Sequence, residues 1–335
     1  MMRQYIFLFG LFLFAACGSK TNLQLVSQTG FAQGTTYSIR YLSPKGKDHQ
    51  DSIRAILTRV DQVLSTYQKG SIINAFNAND SSFKSHPYFN EVLKASLEIA
   101  KETQGKFDPT LAPLIKAWGF GAGEKQSLNQ TQVDSLLRLV GYYRLRFDKA
   151  GNPVKENPNL QVNFNAIAQG YTVDLIAECL EELGIQSYMV EIGGEIKCKG
   201  KNPDHKVWRI GIDKPKEVMD SDRFQTIIEL KDASLATSGN YRKFEVDSIT
   251  GIRYSHTIDP ASGYPVRHKL LSVSVITKSC MEADAYATAM MVMGPKKAKQ
   301  FLDAHPEIDA MLIMDQDGDY EVFRTPGFKE TEIWD

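Results

Sequence analysis

The sequence predicts one α+β domain in which mostly antiparallel sheets pack with helices. Three observations predict it. Stretches with apolar residues at helical spacing are legible near residues 53–67, 88–103, 166–183 and 282–293. Short stretches with strand-like patterning lie at 36–42, 188–192, 208–212, 226–230, 271–277, 310–314 and 320–323. No internal repeat or low-complexity linker divides residues 30–335, although a chain of 335 residues is long enough for one large domain or two small ones. The composition, 42% hydrophobic and 24% charged, is that of an ordinary globular protein with a sizeable core. A net charge of -1 and the absence of a basic arm argue against a nucleic-acid partner.

The N-terminus stands apart from the fold. Arg3 precedes an apolar run over residues 5–16, the charge-then-core layout of a signal peptide, and that run is too short to span a bilayer as a helix. It ends in Phe14-Ala15-Ala16-Cys17-Gly18-Ser19, which resembles a bacterial lipobox with Phe14 where Leu is more usual. Residues 1–17 are therefore expected to be a lipoprotein signal peptide ending at the lipidated Cys17, the plainer alternative being an ordinary cleaved signal with an incidental cysteine. Residues 18–29 are expected to be a polar tether of at most roughly 40 Å, and residues 30–335 the folded domain. This layout predicts a lipoprotein held to a membrane on the extracytoplasmic, periplasmic side. Apart from Cys17, the cysteines Cys179, Cys198 and Cys280 are odd in number and widely spaced, so neither a disulfide framework nor a zinc pattern is visible.

From Gly30 the alternation over 36–42 reads as a strand. Ile53, Ile56, Leu57, Val60, Val63, Leu64 and Tyr67 then form one helical stripe, expected to give out at Gly70. The second helix runs through Val92, Leu93, Leu97 and Ala100 and closes at Gly105, where Gly105-Lys106-Phe107-Asp108-Pro109-Thr110 reads as a turn. Gly119, Gly121 and Gly123 imitate a phosphate loop but lack the preceding strand and the following Lys-Ser/Thr. The third helix stops at Gly184. Asn163-Phe164-Asn165 lead into it, placing short polar side chains at a helix N-terminus, where backbone N–H groups attract phosphate. Residues 188–192 end in Gly193-Gly194. Asp315-Gln316-Asp317-Gly318-Asp319 starts like a calcium loop, but Pro326 stands where the closing Glu belongs, so a hairpin turn is expected.

The stretch 282–293 is rich in helix formers, and Gly294-Pro295 supplies its stop. On a helix, Asp284 and Thr288 share one face, so a carboxylate oxygen and a hydroxyl oxygen point the same way. Both are hard donors of the kind Mg2+ prefers. The plain alternative is an Asp in the first turn with a Thr bonding back to a carbonyl, since two oxygens do not make a magnesium site.

Several segments taken in order carry more than any one alone. They are Gly34-Thr35-Thr36-Tyr37, Leu64-Ser65-Thr66-Tyr67, Phe107-Asp108-Pro109-Thr110, Trp118-Gly119-Phe120-Gly121 and the run from Asn165 to Asp174. Ile192-Gly193-Gly194-Glu195, Thr237-Ser238-Gly239-Asn240-Tyr241, His256-Thr257-Ile258-Asp259-Pro260 with Ser262-Gly263, and the run from Ala283 to Ala289 follow. Together they resemble the ApbE family of FAD:protein FMN transferases over about residues 30–325.

The resemblance implies an enzyme that takes FAD as substrate and moves its FMN half, as a phosphoester, onto a Thr or Ser hydroxyl of a target protein, releasing AMP. Carried over by position, it implies magnesium ligation by the Asp284 carboxylate, the Thr288 hydroxyl and the backbone carbonyl of Ala166. Flavin and adenylate contacts fall on Gln33, Tyr67, Phe107, Asp108, Asn163, Gln169 and His256, and the catalytic assignments are His256 and Asp284. Gln33 stands for a frequent Met, Asn163 for a frequent Asp and Gln169 for a frequent Lys or Glu; these departures bear on FAD affinity and leave the magnesium ligands intact. The chemistry suits these residue types: Mg2+ neutralises a pyrophosphate, and phosphoryl transfer is mainly positioning and charge stabilisation. Tyr67 can stack on the flavin or simply pack in the core. His256 can deprotonate the incoming hydroxyl or hydrogen-bond a phosphate. The implied partners are FAD and an acceptor protein with a Thr/Ser flavinylation motif, of the kind found on membrane-bound redox subunits. Two rival functions use the same residues: a magnesium-dependent FAD pyrophosphatase giving FMN and AMP, and a non-catalytic FAD-binding lipoprotein.

Overall fold

In the computed structural model, residues 22–120, 128–215, 224–240, 244–246, 253–255, 257–317 and 319–331 are described. The first hairpin pairs β1 (Leu23–Ala32) with β2 (Thr35–Pro44). Its two-residue turn, Gln33-Gly34, has φ of 51° and 77°, the left-handed pair that a tight hairpin of this twist requires. Residues 23–29 were expected in the tether, so the folded part begins earlier than the sequence suggests. Gln24, Ser27, Gln28 and Thr29 hide the strand by making both faces of β1 look polar.

Helices α1 (Gln50–Leu64), α2 (Ile72–Ala78), α3 (Pro87–Glu102), α4 (Ala112–Ala117) and α5 (Gln130–Leu137) follow, then the small hairpin of β3 (Leu145–Phe147) and β4 (Pro153–Lys155). Helix α1 stops at Leu64, where Ser65 turns extended (ψ 120°), so the apolar stripe outlives its helix and Tyr67 lies beyond it. Helix α6 (Ala168–Glu182), β5 (Tyr188–Ile192), β6 (Glu195–Lys199), β7 (Trp208–Asp213), β8 (Phe224–Leu230) and β9 (Ala233–Gly239) come next. The chain ends with β10 (Phe244–Val246), β11 (Arg253–Ser255), β12 (Leu270–Thr277), α7 (Cys280–Ala304), β13 (Asp309–Gln316), β14 (Asp319–Arg324) and β15 (Glu330–Thr331). The expected hairpin at 315–319 is the β13–β14 connection, with Gln316 opposite Asp319.

One eight-stranded sheet organises the molecule, in the order β1-β2-β5-β6-β9-β12-β13-β14, and every neighbouring pair is antiparallel. One face carries α1, α6 and α7 on a core of Ile39, Tyr41, Val190, Val273 and Leu312 with Val173, Ile176 and Met290. On the other face Ile196, Cys198, Met311 and Ile313 meet the small sheet β15-β8-β7 through Trp208, Ile210 and Ile228. Helices α2 and α3 close a separate cluster over the site end, around Phe76, Phe89 and Phe164. Among the described residues no helix is long and apolar enough to cross a membrane, and Cys179, Cys198 and Cys280 are free thiols.

Helix α7 is broken rather than ended by Gly294-Pro295. Gly294 has φ 72° and ψ 171°, and a second helical stretch continues to Ala304. Pro295 has no N–H to give to the Met291 carbonyl four residues back. His268 fills the gap: its Nε2 donates to that carbonyl at 2.7 Å while its Nδ1 accepts the Leu270 N–H at 3.2 Å. Both bonds suit a neutral ring, and burial lowers the ring's pKa in the same sense.

Candidate active site

The site forms where the first turns of α6 and α7 touch. Gly170 makes that contact possible: a Cβ there would stand 2.3 Å from the Cys280 carbonyl oxygen and 2.9 Å from Met281 Cα, so no other residue fits. Through this gap Gly170 gives its N–H to Asp284 Oδ2 at 3.2 Å. Gly170 lies in the first turn of α6, where backbone N–H groups have no partner inside the helix, and Asp284 supplies one from outside. This bond ties the Asp284 carboxylate to Gly170, four residues along the chain from Ala166.

Asp284 is 6% exposed. Burial pushes its pKa up to about 7, and the Gly170 N–H only partly offsets this. Thr288, one turn further along α7, has its Oγ1 3.1 Å from Ser238 Oγ on β9. The sequence-predicted pair therefore lies on one face of a helix, with Asp284 buried, Thr288 half-buried and the Ser238 hydroxyl beside Thr288.

One support stands beside this point. On α6, Asp174 accepts Lys197 Nζ at 2.7 Å and the Cys280 N–H at 3.1 Å through Oδ1. Its Oδ2 accepts Ser279 Oγ at 2.8 Å and the Met281 N–H at 3.0 Å. These bonds satisfy N–H groups that the start of α7 would otherwise leave bare, so Asp174 fixes where α7 begins. Asp174 belongs to the segment quoted for the family resemblance, but no role attaches to it from sequence, because its partners lie 23 and 105–107 residues away.

The remaining predicted residues sit on separate elements. Gln33, in the β1–β2 turn, donates Nε2 to Thr172 Oγ1 at 2.7 Å, and Thr172 in turn donates to the Ala168 carbonyl at 2.7 Å. The Gln33 Oε1 is buried with no hydrogen-bond partner. Gln169 reaches the Gly193-Gly194 turn; its Nε2 would lie 3.0 Å from a Cβ at Gly193, beside Thr35 and Glu195. Asp108 is held by the Thr110 hydroxyl (2.6 Å) and N–H (2.8 Å) and the Tyr142 N–H (3.0 Å). Burial nonetheless raises its pKa. Phe107 is buried beside it. Asn163 donates its N–H to the Pro109 carbonyl at 2.8 Å and accepts the Asn165 N–H at 2.8 Å, which joins the Asp108 loop to the lead-in of α6. Tyr67 is 58% exposed and so is not core packing.

Lys106 pairs with Asp259 at 2.9 Å, and Trp118 Nε1 donates to the Gly263 carbonyl at 2.8 Å. These bonds tie the expected turn at 259–263 to the Phe107-Asp108 loop. His256 and Cys17 lie outside the described residues. Among the described residues no group of three or more His, Cys, Asp or Glu side chains could hold a metal. The predicted ligand set, with one carboxylate, a hydroxyl and a carbonyl, is of another kind.

Known proteins share this fold. The model of the ApbE family matches residues 33–312. An FAD:protein FMN transferase of Vibrio cholerae is 37% identical over 98% of this chain and 98% of its own length. That of Escherichia coli K12 is 33% identical over 84% and 80%. Among solved structures, the flavin transferase ApbE from Vibrio cholerae superposes with a TM-score of 0.82 at 36% identity, covering 91% of this chain and 98% of that one. The apo flavinyl transferase ApbE from Pseudomonas stutzeri gives 0.81 at 35%, covering 91% and 96%. With its length, its fold and its ordered motifs all matched, the chain belongs to the ApbE family.

Proposed function

We propose that this chain is an FAD:protein FMN transferase whose reaction depends on Mg2+ held by Asp284, Thr288 and the Ala166 carbonyl. Membership of a family whose relatives carry that activity supports the transferase reading. The observation that supports the metal is Asp284: a buried carboxylate that, among the described residues, accepts one N–H, from Gly170 in the first turn of α6, four residues after Ala166. Such a carboxylate is poorly stabilised as an anion by the protein alone and fits a hard divalent cation. When bound, Mg2+ neutralises the charge of the FAD pyrophosphate.

The chain's own residues do the rest. Asn163 and the lead-in of α6 orient phosphate at a helix N-terminus. Tyr67 offers an exposed ring face for the flavin, while Phe107 packs in the core beneath the Asp108 loop. The acceptor hydroxyl oxygen bonds to the phosphorus of the FMN half, the phosphoanhydride bond breaks, and AMP departs with the bridging oxygen. His256 takes the hydroxyl proton. A lipid on Cys17 holds the enzyme on the extracytoplasmic side of a membrane, near membrane-bound redox subunits that carry the acceptor.

The test is the rate of acceptor modification, read as a mass increase equal to FMN, against Mg2+ concentration. Asp284→Ala is expected to be folded and inactive at every Mg2+ level, and Thr288→Ala to need more Mg2+ for half-maximal rate. Parent-like curves in both overturn the metal assignment. Free FMN with no modified protein would instead mean hydrolysis. For Cys17, replacement by Ser is expected to abolish labelling by palmitate, and labelling equal to the parent refutes the lipid anchor.

A further inference from the structure

The eight-stranded sheet has two edges, and they are built differently. At one end β14 carries Asp319, Glu321 and Arg324 in six residues; Glu321 pairs with Lys299 at 3.4 Å and Arg324 with Glu330. Such charges are the usual guard against a further strand. At the other end β1, Leu-Gln-Leu-Val-Ser-Gln-Thr-Gly-Phe-Ala, has ten residues with no charge and no proline, and among the described residues no strand pairs with its outer side. Its solvent face shows Leu25, 48% exposed, and Phe31, 73% exposed.

The hairpin geometry says which groups this edge offers. Ala32 and Thr35 flank a two-residue turn and form its closing hydrogen-bonded pair. Alternation then turns the N–H and C=O groups of Phe31, Thr29, Ser27 and Leu25 away from β2 and outward. The same edge runs into the site: β1 ends at Ala32, and the next residue, Gln33, is bonded through Thr172 to Ala168, two residues before the glycine that holds Asp284. From Ser27 to Phe31 the rail is about 14 Å long.

We propose that the free edge of β1 is the docking rail for the acceptor protein, whose extended hydroxyl-bearing segment adds to the sheet beside Ser27–Phe31 and is led past Gln33 to the site. The inference rests on the transferase reading, which requires a polypeptide to deliver a Thr or Ser. Main-chain pairing supplies affinity for such a segment largely independent of its sequence, and Leu25 and Phe31 give its side chains an apolar floor.

Thr29→Pro tests the rail, because it removes an outward N–H while leaving the β1–β2 bonds in place. Leu25→Lys/Phe31→Lys tests the apolar floor with the main chain intact. The probe is a soluble redox-subunit domain that carries a Thr/Ser flavinylation motif; an absence of FMN-sized modification by the parent enzyme would count against the transferase reading itself. Both variants are expected to keep the parent's FAD affinity and thermal midpoint. Thr29→Pro is expected to lose about tenfold in kcat/KM for the acceptor, the worth of one or two backbone hydrogen bonds. Parent-like modification by both folded variants overturns the proposal. So does a loss confined to binding of phosphatidylethanolamine–phosphatidylglycerol vesicles, or to self-association, since the edge would then serve lipid or a second copy.

Discussion

Asp174 and Asp284 face the same helix contact from opposite sides and are almost equally buried, 7% and 6% exposed. They are treated in opposite ways. Asp174 accepts a lysine, a hydroxyl and two backbone N–H groups, with both oxygens occupied. Among the described residues Asp284 accepts one N–H, and burial pushes its pKa up to about 7. A carboxylate surrounded by donors stabilises a fold, whereas one left short of them is available for something the fold does not contain. The contrast separates a residue committed to the fold from one that the fold leaves available, without reference to any relative.

The strongest way to break this comparison is to exchange the costs. Asp174→Ala leaves Lys197 without its carboxylate and strips the start of α7, and is expected to destabilise the protein by about 3 kcal/mol in denaturant melts. Asp284→Asn is expected to leave stability equal or higher while abolishing transfer. A costly Asp284→Asn beside a harmless Asp174→Ala would reverse the assignment. Gly170→Ala strikes both carboxylates together, since its Cβ meets the Cys280 carbonyl. A loss of about 2 kcal/mol is expected, with activity falling further than stability explains.

A pH series sharpens the contrast. Because the folded Asp284 holds its proton up to about pH 7 and the unfolded one only to about 3.8, the folded state binds more protons between those values. The associated stability is full below the unfolded pKa and is lost as pH rises through the folded one. The metal-free parent is therefore expected to lose stability relative to Asp284→Asn between about pH 4 and 7, and Mg2+ with FAD to close the gap. Curves that stay parallel would contradict an undersupplied carboxylate. The smallest structural effect belongs to Tyr67→Ala: FAD affinity is expected to fall while the thermal midpoint stays within about 1 °C, given the exposure of this ring. An unchanged affinity with a lowered midpoint would return Tyr67 to packing.

What the sequence made legible follows the range of the physics involved. Local periodicity exposed α1, α3, α6 and the first half of α7, together with the apolar strands β5, β7, β8, β12 and β13. Asp284 and Thr288 were legible because a helix puts residues four apart on one face. Strand β1 was not, since its polar residues blur the alternation, and β9, Ala-Ser-Leu-Ala-Thr-Ser-Gly, carries too little hydrophobic contrast to show as a strand. The Asp174 cluster is long-range by construction. Gly170 looks like any glycine in a helix until the neighbouring helix is in place.

The break in α7 has a consequence for how the family's sequences can drift. In an unbroken helix, inserting one residue rotates everything beyond it by about 100°. Here the segment carrying Asp284 and Thr288 ends at Gly294, where His268 closes the frayed carbonyl of Met291. A gain or loss of residues between 296 and 304 is therefore expected to be taken up at that joint, with the orientation of the two oxygens unchanged.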